Sequence, residues 1–306
     1  MNPLTLEWEQ KAEGDYAAAQ WLQQATNPIH DAICFHAQQC IKKLFDSVAC
    51  QCRCQDKIYT FQQGDFPVRL TNQQINQYQE SGFVVVSGLF DAETAKQMID
   101  HYMTLRAEGS KPGDFGGTAD QPDDPTHKYP RMINMHEWDE LSKGWAMQAE
   151  LLSVAEQLIN DKPVLRQTMI YFKPPGGRGQ ALHQDQQYIT IDPLIGVWIA
   201  LDKSDRAVGQ MIVVPGSQKY GLLSVEAADT SVSFTDVQSV MPEGAKELGI
   251  DMKPGDALFF HGKTIHGSYV NTTADCWRRS FICHYIGEQA KRFEPDQGKH
   301  VSHVKG

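Results

Sequence analysis

The chain of 306 residues carries 28 Lys and Arg against 38 Asp and Glu, a formal net charge of −10, with 41% hydrophobic and 22% charged residues. That composition suits a soluble globular protein with a sizeable core. The acidic balance argues against nucleic acid or an anionic membrane as partner, since both call for clustered Lys and Arg. No run of 18 apolar residues is available to span a membrane. The opening MNPLTLEWEQKAEGD lacks a secretory pattern. The seven cysteines, three of them at Cys50, Cys52 and Cys54, do not read as a paired disulfide framework, so the expected compartment is the cytoplasm.

In chain order, residues 1–47 read as helix: Trp8, Ala12, Tyr16, Ala19 and Leu22 recur at three- and four-residue steps. Asn27-Pro28 interrupts them, because a residue before proline avoids helical angles, and a second helix follows through DAICFHAQQCIKKLF. This pair resembles the first two helices of HEPN domains, in which a Phe-His-Ala-Gln-Gln stretch is typical. No Arg-x(4–6)-His element of the HEPN nucleases follows, so the resemblance implies a partial module for docking or homodimerisation. His36 within it reads as a core or interface histidine.

Residues 48–70 read as a connection. Thr71 is a helix N-cap for NQQINQYQE, Gly82 ends that helix, and FVVV at 83–86 is a β-branched strand. Asp91 caps a further helix to about residue 107. Residues 109–129 are rich in Gly, Pro and Asp, the composition of a long lid or binding loop. From residue 163 short strands are expected at 165–173, 181–191, 195–201, 210–214, 256–261 and 278–286, separated by Pro-Gly and Asp-Pro turns. A Pro215-Gly216 pair sets a type II turn. Many short strands so punctuated indicate a sandwich, jelly roll or barrel.

The segment ALHQDQQYITID places His183 and Asp185 two apart, on one face if the segment is a strand, which suits a divalent metal. A hydrogen-bonded pair on a half-exposed strand would have the same spacing. PGDALFFHGKTIHGSYVN adds His261 and His266 as third-ligand candidates. Two histidines and a carboxylate on a β scaffold form the facial set of non-haem Fe(II) sites, although zinc accepts the same ligands. Beyond them, RRSFICHYI offers Arg278 and Arg279, either of which could pair with the far carboxylate of a dicarboxylate such as 2-oxoglutarate. Parity does not choose between them: the 279/281/283/285 face is the more apolar, yet the polar face could line a barrel interior. Cys50-Gln-Cys-Arg-Cys54 lacks the two separated pairs of a zinc site. Cys276 and Cys283 read as buried or chance thiols. The Asp-rich run at 114–124 reads as a solvated loop, or, if it closes over the site, as one favouring an amine substrate.

LTNQQINQYQESGFVVVSGLF, QTMIYFKPPG, LHQDQQYI, VWIALD, VVPGSQKYG, GDALFFHGKTIHGS and RRSFICHY follow one another over about residues 70–287. In that order they resemble the phytanoyl-CoA dioxygenase family of Fe(II)/2-oxoglutarate oxygenases. The resemblance implies a mainly β domain over 70–306, a double-stranded β-helix (a cupin-like jelly roll) with flanking helices, preceded by a helical extension over 1–60. It implies Fe(II) ligation by His183, Asp185 and His266, with the Gly-Ser after His266 favouring it over His261. It gives Arg278 the distal carboxylate of 2-oxoglutarate with Ser268 as helper. Gln167, Met169, Trp198 and Arg131 match positions around the cosubstrate, and Gln218 stands where the family has histidine. The presence of Asp185 argues against halogenation. The implied reaction consumes O2 and 2-oxoglutarate, forms succinate and CO2, and hydroxylates or otherwise oxidises an unactivated C–H of a small organic metabolite. The charge of −10, without a basic cluster, favours a free metabolite over an acyl-CoA. A non-catalytic β-barrel metal or dicarboxylate sensor and a zinc-dependent hydrolase using the same ligands are the rival readings.

Overall fold

The computed structural model describes residues 67–117 and 124–293. The expected N-terminal helices, most of the 48–70 connection and the Cys50–Cys54 cluster lie outside the described residues. Helix α1 (Asn72–Ser81) starts at a capping box, Thr71 and Gln74 each bonding the other's backbone, and stops at Gly82, whose φ of +81° only glycine adopts at little cost. Strand β1 (Phe83–Val86) follows, then α2 (Ala92–Ala107), capped by the Asp91 carboxylate on the Thr94 amide. The 109–129 region contributes β2 (Asp114–Phe115) and a short 3-10 turn at Pro125–Lys128. Its Asp114 pairs with Arg106 and its Asp124 with the buried Arg178, so these two carboxylates are ion-paired rather than solvated as the composition suggested.

After β3 (Arg131–Ile133) come two helices the sequence reading did not anticipate, α3 (Glu140–Ala146) and α4 (Ala149–Ile159). Asp139 caps the first, and Leu151, Val154 and Ala155 of the second are buried at helical spacing. The remaining strands are β4 (Pro163–Lys173), β5 (Gln180–His183), β6 (Ile191–Ala200), β7 (Met211–Val213), β8 (Val225–Ala227), β9 (Val237–Ser239), β10 (Leu248–Ile250), β11 (Ala257–His261), β12 (His266–Ser268) and β13 (Arg278–Arg292). The strand expected at 181–191 is thus two elements: β5 ends at His183, and Asp185–Gln187 is a 3-10 turn that precedes β6. Gln184 accounts for the break, because its side chain is committed to turn and loop backbone, donating to the carbonyls of Gly221 and Lys263 and accepting from the Leu223 amide.

The fold is mainly antiparallel β with a few helices. One sheet runs β1-β11-β6-β13-β4-β3-β2, a second β10-β7-β12-β5, and β8-β9 form a ribbon. Side-chain alternation in the large sheet creates two cores. Ile170, Val197, Ile199, Phe259, Phe281, Cys283 and Tyr285 face the helices, among Met98, Tyr102 and Leu151. Trp198, Ala200, Leu258, Phe260 and Ile282 face the small sheet, against Met211 and Val213. No helix among the described residues is long and apolar enough to cross a membrane.

Phe281 is fully buried and stacks on Tyr102 at 5.8 Å on the helix side. Phe281→Ala is expected to cost about 3–5 kcal/mol, seen as a lower denaturation midpoint, while metal binding to the folded fraction is unchanged.

Candidate metal centre and its cavity

Antiparallel pairing of β5 with β12 sets His183 directly opposite His266, and their rings lie 4.2 Å apart. In each ring Nδ1 lies 2.9 Å from a backbone carbonyl, that of Ala181 or of Thr264. A carbonyl only accepts, so Nδ1 donates and both Nε2 atoms face inward. Asp185, reached through the turn after β5, places Oδ1 at 3.7 Å from His183 Nε2 and 3.5 Å from His266 Nε2. Donor atoms of these three buried residues all lie within 4.8 Å of one another. Side-by-side projection from one strand is therefore not what unites His183 and Asp185; the turn at Asp185–Gln187 is.

The other carboxylate oxygen, Oδ2, is 2.8 Å from Nε2 of the buried His284 on β13, which donates to it. Gly196 on β6 lets that oxygen in: a Cβ there would sit 3.0 Å from Oδ2 and 2.4 Å from the Phe260 ring. Burial would raise the pKa of Asp185, but the charges of His266 and His284 and their hydrogen bonds hold it well below the usual carboxylate range. Burial, then the neighbouring His266, push His183 down to about 3. Burial also opposes a charge on His266, yet Asp185 more than offsets it and the pKa is raised. Two inward imidazole nitrogens and an ionised carboxylate are a donor set that fits Fe(II) or zinc.

The cluster opens on a cavity of about 1020 Å³ between the sheets, lined also by Arg131, Gln167, Met169, Trp198, Ser268 and Arg278. The three cluster residues and these six thus border one space. His261 does not: it joins no metal-sized group among the described residues, and its Nδ1 accepts from the Lys263 amide. The two arginines part company by alternation. Arg278, 2% exposed, lies 5.3 Å from the Trp198 ring and donates through Nη1 to Ser280, while its Nε is buried without a partner. Arg279 points the other way and grips Asp202 at 2.7 and 2.8 Å. A buried guanidinium short of an acceptor fits a carboxylate. Arg131 sits among Phe115, Tyr171 and Phe234, bonded to the Tyr171 hydroxyl, also with an unpartnered Nε. Among the residues missed from the sequence, His284 shares the polar face of β13 with Arg278, and Tyr171 shares a face of β4 with Gln167 and Met169. Period-two alternation from the chosen residues would have found both.

An antiparallel β scaffold with two histidines and a carboxylate at a cavity that also holds an acceptor-seeking arginine defines a class, the non-haem iron dioxygenases that use 2-oxoglutarate. Comparison with known proteins agrees. The family model described as phytanoyl-CoA dioxygenase (PhyH) matches residues 78–280. A phytanoyl-CoA dioxygenase of Arabidopsis thaliana is 30% identical over 222 residues, 69% of this chain and 77% of that protein. The peroxisomal mouse phytanoyl-CoA dioxygenase is 25% identical over 71% of this chain and 68% of its own. Among solved structures, the non-heme alpha ketoglutarate dependent epimerase SnoN from nogalamycin biosynthesis superposes with a TM-score of 0.58 at 20% identity, covering 72% of this chain and 85% of that one. EvdO2 of Micromonospora carbonacea var. aurantiaca gives 0.61 at 18% identity, over 76% and 98%. The chain belongs to the phytanoyl-CoA dioxygenase family. It is accordingly a non-haem iron enzyme whose cofactors are Fe(II), 2-oxoglutarate and O2.

His284→Gln is expected to weaken Fe(II) affinity about 10–100-fold, the range for losing a partner that orients a ligand, whereas His261→Ala leaves it unchanged. Competition of Fe(II) against a chromophoric chelator under argon measures both. Equal affinities in the two variants would refute the assignment of His284.

Proposed function

We propose that the chain hydroxylates, or otherwise oxidises, an unactivated C–H bond of a small organic metabolite while converting 2-oxoglutarate and O2 to succinate and CO2. The observation that carries this reading is one cavity bordered both by the His183, Asp185 and His266 cluster and by Arg278 with its unpartnered Nε. These three residues would hold the iron, and Arg278 with Ser268 the distal carboxylate of 2-oxoglutarate. Bound there, iron supplies the oxidative chemistry that couples loss of CO2 to removal of hydrogen from the substrate. The chain's own part is to bind, orient and exclude water. Arg278 fixes the cosubstrate by its far end, and Trp198, Met169 and Ile282 give the cavity an apolar wall. Gln167 and Arg131 would orient the remaining polar groups.

The two antiparallel sheets enclosing the site support reading the scaffold as a double-stranded β-helix, with residues 70–306 as the oxygenase domain and 1–60 as an extension for docking or homodimerisation. The composition suggests a cytoplasmic enzyme. The cavity wall also bears on the substrate. Apart from Asp185 and Arg278, its described charged residues are Asp236 against Arg131, Arg166 and Arg292. That balance favours a substrate with an anionic group over the amine suggested by the Asp-rich loop, whose Asp114 and Asp124 are committed to Arg106 and Arg178. It also removes the basis for disfavouring a phosphate-bearing substrate on net charge alone. A zinc hydrolase would leave Arg278 without a role.

Addition of Fe(II) and 2-oxoglutarate under argon is expected to produce a visible metal-to-ligand charge-transfer band, abolished in His183→Ala and weakened in Arg278→Ala. Admission of O2 is expected to release succinate. A folded chain with no band refutes the reading, and a band without succinate under any substrate condition favours a sensor.

A further inference from the structure

Lys173 is the only lysine buried among the described residues, at 3% exposed, and neither the metal cluster nor the arginine claims it. It ends β4 directly opposite Arg278 on β13, so the two cations leave the same face of the sheet side by side. Its Nζ lies 2.9 Å from Ser268 Oγ, 2.5 Å from the Tyr269 carbonyl and 3.4 Å from the Gly209 carbonyl. Three acceptors match the three protons of an ammonium. Gly209, at a φ of +81°, leaves the lysine stem its room: a Cβ there would lie 3.0 Å from Lys173 Cδ.

The consequence falls on Ser268. Its Oγ accepts from Lys173 Nζ and also from the Gln180 amide at 3.2 Å. With both lone pairs engaged, the hydroxyl proton is turned away from both donors, and Ser268 borders the cavity that Arg278 also lines. No carboxylate of the described residues forms an ion pair with either cation. The nearby acids are taken, Asp202 by Arg279 and Asp124 by Arg178. Burial and the adjacent Arg278 push the lysine pKa well below its ordinary value, which marks the spot as one that an incoming anion relieves.

We infer that Lys173 is a positioning and specificity-determining residue: acting through Ser268, it aims a hydroxyl proton at the distal carboxylate of the cosubstrate and so selects 2-oxoglutarate over 2-oxo acids that end in a methyl group. This rests on the proposed function, in which Arg278 and Ser268 receive that carboxylate. A lysine serving only to hold the strands would affect both kinds of acid alike.

The test titrates the Fe(II)-loaded full chain under argon with 2-oxoglutarate and with 2-oxopentanoate, which has the same five carbons and no distal carboxylate, and follows the charge-transfer band. Lys173→Met is expected to raise the apparent Kd for 2-oxoglutarate at least about tenfold and that for 2-oxopentanoate less than about twofold. Ser268→Ala is expected to do the same, and the double variant to lose little more than either single one, because the two act as a unit. The Ser268→Ala arm stands even if Lys173→Met fails to fold. Equal weakening of both acids by a folded Lys173→Met, or a Ser268→Ala variant that still discriminates as the parent does, overturns the inference. A parent chain with no band overturns the proposed function itself, whereas a parent band with unchanged discrimination in the variants removes the role of Lys173 alone.

Discussion

The ionised carboxylate of Asp185 is buried, and a buried charge costs several kcal/mol unless it is paired and hydrogen-bonded. Its surroundings meet that demand with three imidazoles. Oδ1 lies within 3.7 Å of His183 and His266, and Oδ2 lies 2.8 Å from His284. The partners come from different places, β5 and β12 of the small sheet and β13 of the large one, with Gly196 of β6 leaving the space. The two sheets must therefore face each other at the right separation before the charge is tolerable. The same contacts divide the carboxylate, one oxygen toward the histidine pair and the other held from behind.

Alternation along the strands lets one sheet serve two purposes without conflict. On β13, Phe281, Cys283 and Tyr285 bury against the helices, while Arg278, Ile282 and His284 border the cavity. A one-residue slip of β13 would send Arg278 to the helix side and bring Phe281 to the cavity face. Register is thus specified twice over, by apolar burial on one face and by charge on the other. Packing on the helix face can vary in volume without displacing a ligand, and the cavity face can carry cations without interrupting the main core.

Much of this was legible in the chain, and the reasons for the gaps are specific. The caps at Thr71, Gly82 and Asp91 act locally, so their residue types mark the helix ends directly. His183, Asp185 and His266 stand out because few residue types bind metal, but their local geometry does not: the spacing predicts a strand through Asp185, where Gln184 bends the chain away. Arg278 and Arg279 could not be separated by parity because both faces of β13 are covered, one by helices and one by the second sheet, so the more apolar face is not a guide to the interior. Lys173 ends the expected strand 165–173, where nothing local says what it faces. Only the pairing of β4 with β13, more than 100 residues apart, places it beside Arg278. The helices α3 and α4 depart from the expected elements, although Asp139 and the Leu151–Val154–Ala155 spacing carry the usual signals.

Of the nine buried side-chain atoms without a partner among the described residues, three belong to residues of the cavity. Buried polar atoms are almost always hydrogen-bonded, and leaving one unpaired costs about 1–3 kcal/mol. Arg278 Nε, Arg131 Nε and His284 Nδ1 are buried without partners, and all three residues line the same cavity. A chain of net charge −10 also sets Lys173 and Arg278 side by side with no ion-paired carboxylate among the described residues, while it satisfies Arg106, Arg178 and Arg279 with aspartates elsewhere. Arg278 Nε and Arg131 Nε thus remain donors without an acceptor, a deficit that a bound carboxylate would meet. On the proposed reading, the scaffold tolerates an electrostatic deficit in the folded state that binding of 2-oxoglutarate would remove and that an acid lacking the second carboxylate would leave standing.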